Sequence, residues 1–157
     1  MNLFVRLFYV LVCSVFRPRL PVGKTTSELT LFTMPNDLDI NLHVNNGRYL
    51  TLCDLNRVDL FVRSGLAAVM LKRGWMPIIA EHTMRYRRPL GVFKRFKATM
   101  HLTHWDEKHF YMTHHFSINE KIIAEGTSKG VVRGKEGVIA PSDVIAAIIA
   151  SRNTATT

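Results

Sequence analysis

The sequence predicts an α+β fold in which one antiparallel sheet covers a single long, buried helix. Apolar residues recur every three or four positions in the proline-free segment 47–66, which is typical of a helix. From Gly74 onward, apolar and polar residues alternate instead, which is typical of strands with one buried face. A single sheet leaves its edges and one face open, so we also expect a dimer.

The segment before the helix is predicted to be a short strand followed by a polar loop. Residues 28–33 are rich in β-forming side chains, and the core domain is expected to begin near Thr25. Residues 36–46 then form the densest polar cluster of the chain, with two carboxylates, one histidine and four amides.

The long helix is apolar on more than one side. Its main apolar face comprises Leu52, Leu55, Val58, Val62 and Leu66. Further apolar residues lie off this face, as is usual for a helix that other structure surrounds. Gly65 is predicted to end or bend the helix, and residues 67–73 to form a further short helical turn.

Four strands are expected after the helix, joined as an antiparallel meander. Even-numbered residues form the apolar face of segments 76–86, 96–104 and 110–118. If Leu102 faces Met112, the connecting loop has an odd length, most simply residues 106–108.

The last strand, residues 122–133, follows a turn at residues 119–121. It carries Gly126, Ser128 and Gly130 where the other strands carry large residues, which predicts close backbone approach to the helix or to a second subunit. A C-terminal helix is expected over residues 141–150, with Ser142 near its cap.

Residues 1–22 are expected to form an apolar and basic unit ahead of a domain that spans residues 23–157. The uncharged run over residues 7–16 is ten residues long, whereas a membrane-spanning helix needs about 20. No signal-peptidase-like site follows the run. Two interpretations remain open: a helix in a membrane interface with Arg6, Arg17 and Arg19 on the phosphates, or a helix docked on the protein itself or on a partner subunit.

Composition narrows the choice of partners. The formal charge is +9 and the sequence pI is about 10.0, which favours anionic partners. The chain has no recognised nucleic-acid motif, so we expect no nucleic acid. Cys13 and Cys53 are too few for a disulfide scaffold or a four-thiolate zinc site and suit a reducing compartment. The prediction is a cytoplasmic protein, with association with the inner membrane face left open.

Histidine spacing argues against a metal site. Alternation places His101 and His104 on opposite faces of one strand, and the same holds for His114 and His115. No pair is therefore expected to present two ligands together, and we predict neither a metal nor a bound cofactor. Cys53, on the long helix, is expected to be a packing residue.

The polar cluster 36–46 admits two interpretations. Carboxylates and an imidazole come together as acid–base or nucleophilic catalysis requires, beside a helix N-terminus that can stabilise an oxyanion. Asn and Asp are also common at helix caps and turns, so capping explains the same residues.

The cluster resembles a known signature. Asp37-Leu38-Asp39, His43-Val44-Asn45-Asn46 and Tyr49 together resemble that of hotdog-fold thioesterases in the 4-hydroxybenzoyl-CoA thioesterase-like group. Within that group, Arg48-Tyr49-Leu50 and Asp54-x-x-Arg57 resemble thioesterase superfamily member six and its bacterial relatives, and Tyr86-Arg87-Arg88-Pro89-Leu90 resembles the segment after the first strand that follows the helix.

The resemblance implies a hotdog fold, an antiparallel sheet wrapped around one long central helix, in a homodimer or a tetramer of dimers. Asp39 matches the family's catalytic carboxylate, a general base or nucleophile. Asn46 matches the helix-start N–H that polarises the thioester carbonyl. Similarity to plant acyl-carrier-protein thioesterases adds Asn41 and His43 to the catalytic candidates. Leu42 stands where many relatives have glycine.

The implied function is hydrolysis of an acyl-CoA or acyl-carrier-protein thioester at a subunit interface, without metal or cofactor. Asn45, Tyr49, Arg87 and Arg88 are the candidate substrate-binding residues. The basic run of Arg85, Arg87, Arg88, Lys94, Arg95 and Lys97 could hold the phosphates of coenzyme A or the acidic face of an acyl carrier protein, or it could be a solvated sheet edge. The alternative is a non-catalytic, membrane-peripheral protein that binds acyl-CoA or acyl carrier protein. A dehydratase is disfavoured because its His-containing motif is missing.

Overall fold

The computed structural model describes residues 3–154 and shows one antiparallel sheet with four α-helices over that range. The elements in chain order are α1 (Leu3–Phe16), β1 (Thr25–Phe32), α2 (Asn46–Ser64), α3 (Leu66–Arg73), β2 (Met76–Tyr86), β3 (Arg95–Trp105), β4 (Phe110–Ile118), β5 (Lys121–Gly134), β6 (Gly137–Ile139) and α4 (Pro141–Thr154). A 3-10 turn, Pro35–Asp37, follows β1.

The strand order is β1-β3-β4-β5-β2, with β6 paired to β5. The predicted meander is confirmed for β3, β4 and β5 and is wrong for β2, which pairs with β5. The reason is that β1 and β4 occupy both edges of β3, so the outer edge of β5 remains for β2. β2 thereby becomes an edge strand, and most of its residues are exposed.

The predicted pairing of Leu102 with Met112 is confirmed, but the predicted three-residue loop is wrong. β3 and β4 are joined by the four residues 106–109, and a bulge between Leu102 and His104 restores the register. Asp106 stabilises the longer loop because its Oδ1 accepts the N–H groups of Lys108 at 2.7 Å and His109 at 2.6 Å.

A second bulge corrects the predicted face of β2. The register shifts between Ile79 and Glu81, so the strand changes phase in its middle. Before the bulge, the odd-numbered Ile79 packs towards the core, whereas Ile78 is 38% exposed. After the bulge, the even-numbered His82 and Met84 are half-buried, as predicted.

The small residues of β5 make room for β2 rather than for α2. A Cβ on Gly126 would collide with the backbone oxygen of Thr83 and lie 3.1 Å from the sulfur of Met84. A Cβ on Gly130 would lie 3.3 Å from the backbone oxygen of Ile78. The expected close approach exists, but its partner is the neighbouring strand.

Helix α2 lies in the middle of the core, as its apolar pattern predicts. It begins after an Asn45 cap and ends at Gly65, whose φ of 86° is left-handed. The main core cluster joins α2 to β1, β3, β4 and β5 through Leu29, Leu52, Cys53, Leu55, Ala98, Phe116 and Ala124, among others.

Helix α1 covers another side of α2 and is held by buried carboxylates. Arg6 pairs with Asp37 through two hydrogen bonds of 2.9 and 2.6 Å. The hydroxyl of Ser14 donates to Asp59 on α2 at 2.8 Å. The helix therefore docks on the protein itself. None of the helices among residues 3–154 is long and apolar enough to cross a membrane.

The rest of α1 is apolar and exposed. Its exposed large apolar side chains are Phe4, Val5, Phe8, Tyr9, Leu11, Val12, Val15 and Phe16.

Candidate active site

The loop between β1 and α2 is closed by its own backbone. Asp39 donates its N–H to the carbonyl of His43 at 2.8 Å, and Asn45 donates to the carbonyl of Asp37 at 2.8 Å. Leu38 and Val44 form a bridge between these two contacts. Residues 37–45 thus fold back on themselves and deliver the chain directly into the first turn of α2.

Asp37 anchors this loop, a role that the sequence analysis did not assign. Its side chain is 2% exposed and pairs with Arg6 of α1, while Arg48 of α2 lies 3.3 Å away. It also accepts the N–H of Met34 at 2.8 Å. The apolar context of Arg6 in the N-terminal segment could have indicated such a buried partner, because an arginine on a docking helix face must be paired.

Asp39, the predicted catalytic carboxylate, is half-buried in the loop. Its Oδ1 accepts the backbone N–H of Asn41 at 2.8 Å, which fixes the orientation of the carboxylate. The side chains of Asn41 and His43 belong to exposed residues. In the structure, Asn41 therefore contacts the Asp39 carboxylate with its backbone N–H.

Leu42 occupies a backbone position that suits glycine. Its φ is 59°, and its N–H donates to the carbonyl of Asp39 at 3.1 Å to close the turn. A left-handed conformation costs a non-glycine residue about 1–2 kcal/mol. The side chain is 72% exposed, so this turn presents an apolar group to solvent.

Asn45 and Asn46 form the start of α2. The side-chain Oδ1 of Asn45 accepts the N–H of Gly47 at 2.9 Å, so capping accounts for this residue. Asn46 is the first helical residue, and its carbonyl accepts the hydroxyl of Tyr86 at 3.0 Å. The first turn of a helix carries backbone N–H groups without intrahelical partners, which can stabilise an oxyanion.

Tyr49 lies in the core beneath this helix start rather than on the surface. Its ring packs against Tyr86 and Phe116, with centroid distances of 5.2 and 5.0 Å. Burial raises the pKa of Tyr49 to about 12, so the phenol stays protonated. The structure shows it supporting the helix start, which is a packing role.

Arg87 and Arg88 follow β2 and lie beside the loop. Both donate their backbone N–H to the carbonyl of Ile123, and Val44 donates to the carbonyl of Leu90 at 2.8 Å. The guanidinium of Arg87 is paired with Glu125 at 2.5 Å and lowers the pKa of that carboxyl. Arg88 is exposed. The loop, the start of α2 and this basic segment therefore meet at one end of the fold.

A second polar group, missed from the sequence, lies deeper under α2. Cys53, His82 and His114 bring potential ligand atoms within 4.8 Å of one another. The expectation that no two histidines face one place is wrong because it considered only neighbours along a strand. His82 of β2 and His114 of β4 stack across β5, with centroids 5.2 Å apart. The sequence did contain a signal for this contact: the small residues of β5, which lies between the two strands that carry the histidines, leave room for the rings to meet.

Burial and the charge of Arg57 set the protonation of this group. Arg57 points Nη2 at Nδ1 of His82 at 3.3 Å, and a guanidinium only donates, so the ring proton lies on Nε2. Burial, aided by the charge of Arg57, lowers the pKa of His114 to about 3, whereas burial raises the pKa of Cys53 to about 12. The group is therefore neutral, and its sulfur is a thiol.

An apolar cavity opens on the same part of α2. It lies among α2, α4, β2 and β5 and is lined by Leu60, Phe61, Ile79, Met112, Val132 and Ile148, among others. Arg57 supplies the charge in this lining.

Residues 33–148 match the family model described as the thioesterase-like superfamily. The chain belongs to this superfamily. Protein THEM6 of Xenopus laevis is 41% identical over 83 residues, which are 53% of this chain and 40% of that protein. Protein THEM6 of Drosophila melanogaster is 29% identical over 139 residues, 87% of this chain and 69% of that protein. The chain thus spans only 40% of the length of the Xenopus relative.

Solved structures of this fold confirm the predicted hotdog architecture. The probable thioesterase YbaW of Escherichia coli has a TM-score of 0.72 at 18% identity, covering 78% of this chain and 96% of that one. BH1999, a gentisyl-coenzyme A thioesterase, has a TM-score of 0.65 at 19% identity, covering 75% and 97%. These identities are low, so the likeness shows the fold of the thioesterase-like superfamily and no more.

Proposed function

We propose that this protein is an acyl-CoA thioesterase, with Asp39 as its catalytic carboxylate. The supporting observation is the position of Asp39 in a backbone-closed loop that leads directly into the N-terminus of α2. The name of BH1999, a gentisyl-coenzyme A thioesterase, supports a coenzyme A thioester as substrate. The apolar cavity favours an acyl group that is largely apolar.

In the proposed reaction, Asp39 takes a proton from a water molecule as the water oxygen attacks the thioester carbonyl carbon. The backbone N–H of Asn46 stabilises the resulting oxyanion, because the N–H groups of Gly47 and Arg48 are already bonded to Asn45. One such donor is worth about 3 kcal/mol of barrier. The C–S bond then breaks, the acid leaves with the water oxygen, and the thiolate of coenzyme A takes the proton held by Asp39, which restores the carboxylate. In the alternative mechanism, Asp39 is the nucleophile and attacks the thioester carbonyl carbon directly.

The proposed working unit is a homodimer. β2 is hydrogen-bonded to β5 along one edge, and its apolar residues Met76, Ile78 and Tyr86 are exposed. A long edge strand with exposed apolar side chains favours pairing with another strand. Joining β2 to its counterpart in a second copy would place Arg87 and Arg88 next to the subunit interface, near the phosphates of coenzyme A.

The function is tested by thioester hydrolysis across a chain-length series of acyl-CoA substrates. We expect wild-type turnover and a loss of about 100-fold or more in kcat for Asp39→Asn, because the base is removed at nearly constant size. Free thiol is followed with a dye after correction for Cys13 and Cys53. Glu107→Gln, in the exposed β3–β4 loop, is the matched control and keeps wild-type activity.

Equal and negligible rates for wild type and Asp39→Asn would contradict the proposal. Binding of acyl-CoA without turnover would then favour the non-catalytic alternative. The molecular mass in solution, measured on the same preparation, is expected to be that of a dimer or a tetramer of dimers.

We further propose that the exposed face of α1 contacts an anionic membrane surface, on the cytoplasmic side. The helix buries Arg6 and Ser14 while exposing Phe4, Phe8 and Phe16, so no part of residues 3–154 covers this apolar face. The exposed Arg19 and Lys24 follow it in the chain, and the protein carries a charge of +9. Apolar area combined with basic charge is the pattern of interfacial helices.

Sedimentation with lipid vesicles tests this contact. Wild type is expected to bind vesicles containing phosphatidylglycerol, to bind phosphatidylcholine vesicles more weakly, and to be released by salt. Phe8→Asp should abolish binding, whereas Phe93→Asp, which changes an exposed phenylalanine outside α1, should not. Equal sedimentation of wild type and Phe8→Asp would contradict the proposal.

A further inference from the structure

Two buried polar atoms lack a hydrogen-bond partner among the residues that the structure describes: Nε of Arg57 and Nε2 of His82. Arg57 is 5% exposed, and both atoms are shielded from solvent. An unsatisfied buried polar group costs about 1–3 kcal/mol. Two such atoms on adjacent side chains are therefore an unusual feature of an otherwise well-bonded core.

Both atoms are donors. Arg57 uses Nη1 on Asp54 and Nη2 on Nδ1 of His82, which leaves the N–H of Nε. Because Nδ1 of His82 faces a guanidinium donor, the proton of the neutral ring lies on Nε2. Burial and the charge of Arg57 lower the pKa of His82, so the neutral ring is favoured. What this region lacks is an acceptor.

Arg57 reaches the cavities where an acyl group would lie. It lines the apolar cavity between α2, α4, β2 and β5 and also the cavity between α1, α2 and β2. Arg57 is eleven residues beyond Asn46 on α2, which corresponds to about 16 Å at the helical rise of about 1.5 Å per residue. A group bound there is far from the scissile bond and belongs to the distal part of the acyl chain.

We propose that Arg57 recognises an oxygen in the distal part of the acyl group, with His82 as the residue that positions its guanidinium. The substrate class is then an acyl thioester that carries a hydroxyl, carbonyl or carboxylate oxygen beyond an apolar stretch. This inference rests on the proposed thioesterase function and specifies its substrate. A ligand oxygen would satisfy the N–H of Arg57 Nε, and a hydrogen bond to a charged donor contributes about 1.5–3 kcal/mol.

The neighbouring charges are compatible with this role. Asp54 is 61% exposed and is ion-paired with Arg57, so it balances the guanidinium from the solvent side. His114 is tied to the hydroxyl of Ser128 at 2.8 Å and stacks on His82, which holds the His82 ring in place. The guanidinium of Arg57 is thus held in place before a ligand arrives, which reduces the entropy lost on binding.

Equilibrium binding of hydrolysis-inert thioether analogues tests the proposal independently of turnover. Acyl-CoA thioethers of matched length, unsubstituted, ω-hydroxy and ω-carboxy, are compared by calorimetry over a series of chain lengths. We expect wild type to bind one oxygenated analogue about ten-fold or more tightly than its unsubstituted counterpart, as one charge-assisted hydrogen bond predicts. The preferred oxygen type then distinguishes a neutral from an anionic substrate.

Arg57→Met should erase this preference and leave binding of the unsubstituted analogue unchanged within a few-fold. Asp54→Asn is the matched control: it removes the ion-pair partner but not the donor, and should retain the preference. His82→Phe keeps a ring stacked on His114 but removes the acceptor for Nη2 of Arg57, so it should weaken the preference. It serves as the test if Arg57→Met does not fold.

The absence of any preference in wild type would overturn the inference, as would a preference that survives Arg57→Met. A water molecule or a partner subunit would then be what satisfies the two donors. Preference without hydrolysis of the corresponding thioesters would contradict the proposed function and leave the inference standing. Hydrolysis without this preference would support the proposed function and overturn the inference about Arg57.

Discussion

Replacing Asp59 by alanine is expected to lower the free energy of unfolding by about 3–5 kcal/mol. Asp59 lies on α2 with no exposed surface and accepts hydrogen bonds from four side chains on three elements and one connecting segment. The donors are Ser14, Arg17, Ser27 and Arg63, at 2.7 to 3.0 Å. Its removal leaves the half-buried guanidinium of Arg63 without its carboxylate partner and removes the hydrogen bonds that tie Ser14 of α1 and Ser27 of β1 to the central helix.

Arg17→Ala is the matched control for this prediction. The Arg17 side chain is 35% exposed, and a partly exposed pair contributes about 0–1 kcal/mol. Urea unfolding followed by circular dichroism gives both free energies from one protocol. If Asp59→Ala and Arg17→Ala destabilise the protein equally, the buried carboxylate is not what holds these elements together.

The elements of the fold that depend on local sequence patterns were predictable. The three- and four-residue spacing along α2, Gly65 at its end and the alternation in β3 and β4 each depend on neighbouring residues in the chain. The position of β2 beside β5 and the bulges near Ala80 and Thr103 depend on which strand edges remain free for pairing. Alternation within one strand does not predict which strand it pairs with.

The candidate site likewise has a part that is local in the sequence and a part that depends on tertiary packing. The polar loop before α2 was predictable because residues 36–46 are close in sequence, whereas the roles of Asp39 and Asn46 come from the family resemblance and stay predictions. The ion pair of Arg6 and Asp37 joins residues 31 positions apart in the sequence. His82 and His114 stack although their strands are not hydrogen-bonded neighbours. Such contacts follow from tertiary packing, which explains why a residue of the signature proved to be an ion-pair partner and why the polar group under α2 was missed.

Arg6→Met is expected to destabilise the protein by about 3–5 kcal/mol and to lower kcat beyond what unfolding explains. Arg6 donates to both carboxylate oxygens of Asp37 and to the carbonyl of Phe32 at 2.8 Å. Without it, Asp37 remains buried with Arg48 alone, at 3.3 Å. Because Asp37 also accepts the N–H of Asn45 through its carbonyl, its displacement disturbs both the loop that holds Asp39 and the cap of α2.

The activity of Arg6→Met separates a positioning role from a purely structural one. Measured well below its melting temperature, the variant should show a kcat reduced by about ten-fold or more, with little change in KM. The reason is that the Asp39 carboxylate and the N–H of Asn46 would be displaced by about 1 Å. Ser14→Ala, which weakens the other attachment of α1, should lower stability while leaving kcat unchanged. A normal kcat in folded Arg6→Met would mean that the loop keeps its geometry through its own backbone hydrogen bonds, and that α1 contributes only to stability.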